Sequence, residues 1–264
     1  MPIDDGSTVA AFRWRPVDGT TNFGDEIGPL VVTRLLQKRD VHRKVVEQQQ
    51  GRARLLTVGS VLHFASGQDE IWGSGINGKR WPVQLRRPNN VRVHAVRGPL
   101  TKRGLANLGV SCPAIFGDPA LLFPQLYVDE VRAVAECLQP IATLVILNRN
   151  DHLNEALIDF TSYPFQFVAP SENPVVVAAK ISRSSRVISS SLHGLVLADA
   201  LGIPNVPLIS LFEPAFKYLD YYRGIGVEDV DFATNLKAAL ARPASAKSLE
   251  TFNPAALLDA FPFN

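Results

Sequence analysis

His193 lies in a stretch, Val187 to Pro204, whose residue types could do acid–base chemistry on an anion. Val187 and Ile188 are apolar and β-branched, as in a buried strand. The hydroxyls of Ser189, Ser190 and Ser191 can accept hydrogen bonds from the unpaired N–H groups that open a helix. Leu195 to Leu201 are helix formers, Gly202 fits the left-handed residue that closes a helix, and Pro204 prevents its resumption. A strand running into a helix delivers His193 and Gly194 to the positive end of a helix dipole, where a phosphate or carboxylate is favoured. An imidazole also titrates near neutral pH. The same residues equally fit a histidine satisfied at a strand end.

Other strand-end turns gather similar residues. Asn22, Gly24 and Asp25 open a helical pattern in which Ile27, Leu30, Val31 and Leu35 recur. The strand from Arg54 ends in Gly59 and Ser60, and the strand from Glu70 ends in Gly73, Ser74 and Gly75. Backbone N–H groups of such turns can cradle an oxyanion. Arg97 closes the strand carrying His94, as an anion clamp or as one partner of a salt bridge. Asp118, followed by Pro119, is a candidate base or a helix cap. Arg149 follows a strong apolar strand, Ile141 to Leu147. Lys217 stands beside Tyr218, Tyr221 and Tyr222, which are candidates either to stack on sugar rings or to pack in a core. His63 and His152 carry no motif.

The elements that must position these groups read as βαβα, twice over. The expected fold is α/β, two doubly wound Rossmann-like halves facing a cleft, residues 1–139 and 140–264, with Pro140 at the break. A helix is expected from Asp151 through Phe160, and Asn205 to Phe212 reads as an edge strand because of Pro207. The chain has 264 residues, is 46% hydrophobic and 20% charged, and carries a formal net charge of +2. That balance suits a packed core and is too mild for nucleic-acid binding. The cysteines, Cys112 and Cys137, match no metal spacing, and no metal is expected. Met1 to Gly6 lacks the basic start and apolar run of a secretory signal, and no window reaches the length of a membrane span. A cytoplasmic location is expected. Leu257, Leu258, Phe261 and Phe263 could touch lipid or dock a last helix.

Taken in order, Asn22-Phe-Gly-Asp25, Gly73-Ser-Gly75, Arg97-Gly-Pro99, Gly117-Asp-Pro119, Leu192-His-Gly194 and Gly202-Ile-Pro204 resemble the polysaccharide pyruvyl transferases. The likeness is greatest to the bacterial exopolysaccharide ketal-pyruvate transferases of the xanthan type, and runs from about Asn22 to Arg223. It implies a fold similar to type B glycosyltransferases. It further implies phosphoenolpyruvate as co-substrate, with no separate cofactor, and a lipid-linked oligosaccharide acceptor, its terminal mannose above all. Such an acceptor would bring the protein to the cytoplasmic face of the inner membrane. Many relatives carry Arg two residues before the histidine, where this chain has Ser191; Arg149, Arg183, Arg186 and Lys217 are the candidate replacements.

Under that resemblance His193 is the acid/base group, with Asp25 and Asp118 as candidate bases. Asn22, Gly24, Ser60, Gly73, Ser74, Gly75, Arg97, Arg149, Ser190, Ser191, Gly194 and Lys217 are the candidate binding residues. Two rivals share the pattern: a nucleotide-sugar transferase of type B or sialyltransferase-like design, and a glycan-binding module without catalysis.

Overall fold

The computed structural model describes residues 7–46, 53–86, 90–154 and 165–263. The chain runs β1 (Thr8–Ala10), α1 (Phe23–Lys38), β2 (Lys44–Val46), β3 (Leu55–Leu56), β4 (Glu70–Trp72), β5 (Arg92–Ala95) and α2 (Pro99–Ala106). Two short helices, α3 (Phe123–Leu126) and α4 (Val128–Glu136), lead on to β6 (Leu144–Ile146), α5 (Arg149–Leu153) and β7 (Gln166–Phe167). Then come α6 (Pro174–Ser182), β8 (Val187–Ser189), α7 (Leu192–Ala200) and β9 (Asn205–Pro207). Helices α8 (Phe216–Gly224), α9 (Leu236–Ala241) and α10 (Pro254–Asp259) follow.

All paired strands among the described residues are parallel. A bridge from Ala11 to Leu55 joins the β1-β2 pair to the sheet β3-β4-β5. The second sheet has the order β7-β6-β8-β9. Parallel strands need crossovers, and a crossover leaves the carboxyl ends of all strands on one edge. The pairings Ile146 with Ser189 and Ser189 with Pro207 align those ends in the second sheet. The mixed α/β class with parallel sheets thus agrees with the sequence pattern.

The local choices follow from the residues. Asn173 caps α6 by accepting from Val175 N, and Pro174 takes the first position, where its missing N–H costs nothing. The run Val175 to Val177 is a weak helix former, but Val177 and Ile181 are fully buried, and packing overrides propensity. Gly194 lets α7 lie close on the sheet, since a Cβ there would stand 2.5 Å from Ser189 Oγ and 3.0 Å from Ile146 Cγ2. Asp118 caps the turn Pro119–Leu122. β9 stops at Pro207 on the sheet edge, shorter than expected. β2 is an edge strand that the sequence pattern did not reveal. Phe116 makes only a bridge to Val96, not a full strand. Of the helix expected from Asp151 to Phe160, Arg149–Leu153 is seen, and 155–160 lie outside the described residues.

One apolar cluster links Ile27 and Val31 of α1 with Leu144 and Ile146 of β6 and Leu195 of α7. α1 packs on α6 and α7, and α4 packs on α6. The last helix returns to the first sheet: Trp72 Nε1 donates to Leu257 O at 2.8 Å, and the Trp72 and Phe261 rings meet edge to face at 4.9 Å. Leu257 and Phe261 are therefore docked rather than open to lipid. Among the described residues no helix is long and apolar enough to cross a membrane.

Candidate active site

The carboxyl ends of β1, β3, β6 and β8 run into loops that line a common cleft of about 370 Å³, through Trp14, Ser60, Asn148 and Ser191 respectively. Two helices start at its wall. α1 brings Asn22 and Asp25, and α7 brings Ser191, Leu192 and His193. N–H groups in a first helical turn have no partner within the helix and carry the positive end of its dipole. Lys79, Arg80, Arg149 and Lys217 add cationic side chains to the lining. Such a cleft favours an anion.

α7 starts directly after the serine run expected to cap it. Ser191 is its N-cap and accepts from Gly194 N at 3.4 Å, so His193 lies inside the first turn. The imidazole is 8% exposed. Gly24 lies against it: a Cβ on Gly24 would stand 2.0 Å from His193 Nδ1. On its other side, His193 Nε2 faces Asp118 Oδ2 at 3.8 Å, and neither atom has a hydrogen-bond partner among the described residues. That distance is too long for a hydrogen bond and short enough to close into one when the ring gains a proton. Burial, with Lys217 and Arg97 nearby, pushes the imidazole down to about 3. Burial and these two cations thus work against the neutral-range titration expected of His193. Burial pushes the Asp118 carboxyl up to about 6, against the Ala120 N–H bond and the charge of Arg97.

Asp25 is the group that titrates near neutrality. Burial raises its carboxyl to about 7, against the hydrogen bond from Asn22 Nδ2 at 2.6 Å and the charge of Lys217. A group whose folded pKa is raised contributes stability that is full below its unfolded pKa and is lost as pH rises through the folded one. For Asp25 the window runs from its ordinary value of 3.8 to about 7. Asp25→Asn removes that loss. Its melting temperature should exceed wild type by a margin that grows across this window and is flat above it. A margin independent of pH, measured by calorimetry at several pH values, would show that the carboxylate is not buried at a cost.

Of the residues singled out in the sequence, Asn22, Asp25, Ser60, Arg149, Ser191, His193 and Lys217 line the cleft. Gly24 and Asp118 stand behind His193. Ser190 is fully buried, its hydroxyl accepting from Asn148 N and its carbonyl from the Tyr218 hydroxyl. Gly194 is a packing contact, as described above. The glycine turn is a correction. A Cβ on Gly73 would stand 2.2 Å from Pro119 Cδ, one on Gly75 would stand 2.3 Å from Arg97 Cζ, and Ser74 Oγ donates to Gly59 O at 3.0 Å. These residues are small to admit neighbours and do not form an oxyanion cradle on the cleft.

Arg97 is a second correction. It is fully buried and bound to Asp220: Arg97 Nε donates to Asp220 Oδ2 at 3.1 Å, and Nη2 stands 3.0 Å from the same oxygen. Nη2 also donates to Ile76 O at 2.7 Å, and Nη1 donates to Ser60 Oγ. Arg97 therefore stands behind the wall and reaches the cleft only through Ser60. Tyr218, Tyr221 and Tyr222 are buried and pack, leaving none to stack on a sugar. Among the candidates to replace the missing arginine, Arg149 and Lys217 reach the cleft. Arg186 is held by Thr143 Oγ1 and Leu240 O, and Arg183 is exposed at the end of α6.

Sequence reasoning missed Trp14, His63, Asn77, Lys79, Arg80 and Glu213, all in the lining. The adjacent cations Lys79 and Arg80, just past the glycine turn, were the available signal. His63 stacks on Phe64 with ring centres 4.0 Å apart, and burial followed by the charge of Arg80 lowers its pKa. Among the described residues, no group of three or more His, Cys, Asp or Glu side chains stands together as a metal site.

Comparison with known proteins bears on this geometry. A family model described as polysaccharide pyruvyl transferase matches residues 71–210. The succinoglycan biosynthesis protein ExoV of Rhizobium meliloti (strain 1021) is 25% identical over 222 residues, covering 82% of this chain. The chain spans 65% of the length of that relative. The crystal structure of an uncharacterized protein from Klebsiella pneumoniae subsp. pneumoniae NTUH-K2044 superposes with a TM-score of 0.54 at 10% identity, over 87% of this chain and 93% of that one. At that identity the likeness concerns the fold alone.

Proposed function

The chain belongs to the polysaccharide pyruvyl transferase family, and from that premise we propose that it forms a pyruvate ketal on a sugar of an exopolysaccharide repeat unit, with phosphoenolpyruvate as donor. The observation that carries this reading is the anion-favouring cleft in which Asp25 and His193 stand together under two helix starts. Phosphoenolpyruvate brings a carboxylate and a phosphate, close to three negative charges. Burying those charges is prohibitive without paired cations and hydrogen-bond donors, and Lys79, Arg149 and Lys217 in the lining are the cations that would meet them.

The chemistry assigns roles by protonation state. Asp25, with its carboxyl near 7, is the acid that gives a proton to the methylene carbon of the donor. Positive charge then develops on the adjacent carbon, and a sugar hydroxyl adds there. His193, whose burial favours the neutral ring, takes the hydroxyl proton. Bound donor and Asp118 both favour the imidazolium, which offsets the depression caused by Lys217 and Arg97. The bond to the phosphate oxygen breaks, a second hydroxyl closes the ketal, and the departing phosphate carries away the remaining proton. Overall one carbon–oxygen bond breaks and two form. The reaction as written needs no metal.

The proposal extends to organisation and place. The two parallel sheets support a pair of Rossmann-like halves, 1–139 and 140–264, arranged like a type B glycosyltransferase, with α10 crossing back to the first. The acceptor is proposed to be lipid-linked and its sugar a terminal mannose, which puts the protein at the cytoplasmic face of the inner membrane. The test is incubation with phosphoenolpyruvate and a lipid-linked saccharide extract, with and without chelator. Added pyruvate on the saccharide by mass spectrometry, with an equal release of phosphate, is expected in both. No pyruvylated product, together with binding of a nucleotide-sugar in thermal shift, would overturn the reading in favour of glycosyl transfer.

A further inference from the structure

Glu213 is a carboxylate in a cleft whose lining also holds Lys79, Arg80, Arg149 and Lys217. Its Oε1 accepts from Lys79 Nζ at 2.5 Å and from Asn150 Nδ2 at 2.8 Å, and its Oε2 accepts from Lys217 Nζ at 3.1 Å. Lys79 follows β4 and Lys217 belongs to α8, so one side chain joins elements more than a hundred residues apart in sequence across the cleft lining. The Glu213 and Lys217 side chains are only 11% and 12% exposed. An enclosed ammonium needs a counter-charge, and Glu213 supplies it. Burial opposes ionisation of Glu213, yet Lys217 and Lys79 hold its carboxyl below its ordinary value. Gly78 permits this approach: at a φ of +84° its Cβ position lies 2.8 Å from Phe216 Cβ, closing the loop onto the start of α8.

We infer that Glu213 is a built-in stand-in for the substrate anion and that it sets which anions the cleft accepts. This rests on the reading above that the donor is phosphoenolpyruvate. An incoming ligand must take both ammonium groups from Glu213, which turns outward as they change partners. A monoanion such as pyruvate carries no more charge than the carboxylate it displaces, so the exchange gains little. A phosphorylated acid carries two or three charges and more acceptor oxygens, so the exchange favours it. Glu213 thereby separates the phosphorylated donor from the unphosphorylated acid with the same carbon skeleton. Specificity of this kind comes from a repulsive element against the wrong ligand as much as from contacts to the right one.

Glu213→Gln keeps the shape and removes the charge. Calorimetric titration of wild type and variant with phosphoenolpyruvate, inorganic phosphate and pyruvate reads the effect. The variant is expected to bind pyruvate about tenfold more tightly, the worth of one freed charge-assisted contact, with smaller gains for phosphate and phosphoenolpyruvate. Its preference for the phosphorylated acid over pyruvate narrows accordingly. Unchanged or weaker binding of all three overturns the inference, since Glu213 would then only hold the lysines in place. Glu213→Asp, too short to span both lysines, gives a second reading that does not depend on the first variant folding: its preference should fall between wild type and Glu213→Gln, and a preference equal to wild type counts against the inference. If wild type binds inorganic phosphate but not phosphoenolpyruvate, the donor reading fails, while the effect of Glu213→Gln on phosphate and pyruvate still decides the role of Glu213.

Discussion

His193→Ala should lower turnover by roughly 10²–10⁴-fold, the span that positioned proton transfer contributes, while the protein keeps its fold. The retention follows from the site. The His193 Nε2 has no hydrogen-bond partner among the described residues, and burial beside Lys217 and Arg97 favours the neutral ring. Its removal therefore strands no charge. What is lost is the acceptor for the hydroxyl proton. A base pushed down to about 3 would be weak at neutral pH, so the bound donor must change its surroundings. Three negative charges placed beside Lys217 reverse the sign of the local field, and Asp118 lies 3.8 Å behind the ring to pair with the imidazolium. The dependence of turnover on pH, which reports the substrate-bound enzyme, should accordingly show a basic group well above 3 in wild type and lose that limb in His193→Ala. Turnover within tenfold of wild type, with phosphate released normally, would falsify the assignment of the base.

Much of the chain could be read before folding, and the parts that could not share a cause. The unit around His193 is contiguous: strand, serine cap, helix and terminal glycine are all local signals, and each stands where the residues indicated. The helix opens on Ser191, the last of the three serines able to cap it. The parallel α/β pattern is likewise a sum of local periodicities. Arg97 stayed open between anion clamp and salt bridge because its partner, Asp220, is 123 positions away, and no spacing rule connects them. Gly73 and Gly75 looked like anion cradles because small size has the same signature whether it admits a ligand or a neighbouring Pro119 and Arg97. Glu213 went unnoticed because it lies in the loop ahead of α8, which begins at Phe216, where no periodic face exposes it. Local physics therefore reveals which strand ends carry polar groups. Which of those groups meet across the cleft depends on contacts between distant segments.

Asp220→Ala is expected to cost about 3–5 kcal/mol of unfolding free energy, the penalty for leaving one half of a buried ion pair unmatched. Arg97 and Asp220 are both fully buried. Asp220 also accepts from Thr101 N at 2.8 Å and Thr101 Oγ1 at 2.6 Å, so the variant strands these donors too. The pair ties α8 to the start of α2 at a place where backbones touch: a Cβ on Gly98 would stand 1.8 Å from Asp220 O, and one on Gly224 2.2 Å from Arg97 O. The exposed pair Arg132 and Asp129, with side chains 66% and 87% exposed, is the control. Asp129→Ala should change stability by no more than about 1 kcal/mol. Denaturant titration separates the two, through a fall in midpoint at constant slope. If the large loss comes from an unmatched charge rather than from lost volume, Arg97→Met combined with Asp220→Leu should recover much of it. That double variant would still lack the guanidinium that donates to Ser60 Oγ in the cleft wall, so stability would return without full anion affinity. A single Asp220→Ala variant as stable as the Asp129→Ala control would mean that Arg97 finds solvent or another partner, and that α8, with Lys217, is held in place by packing alone.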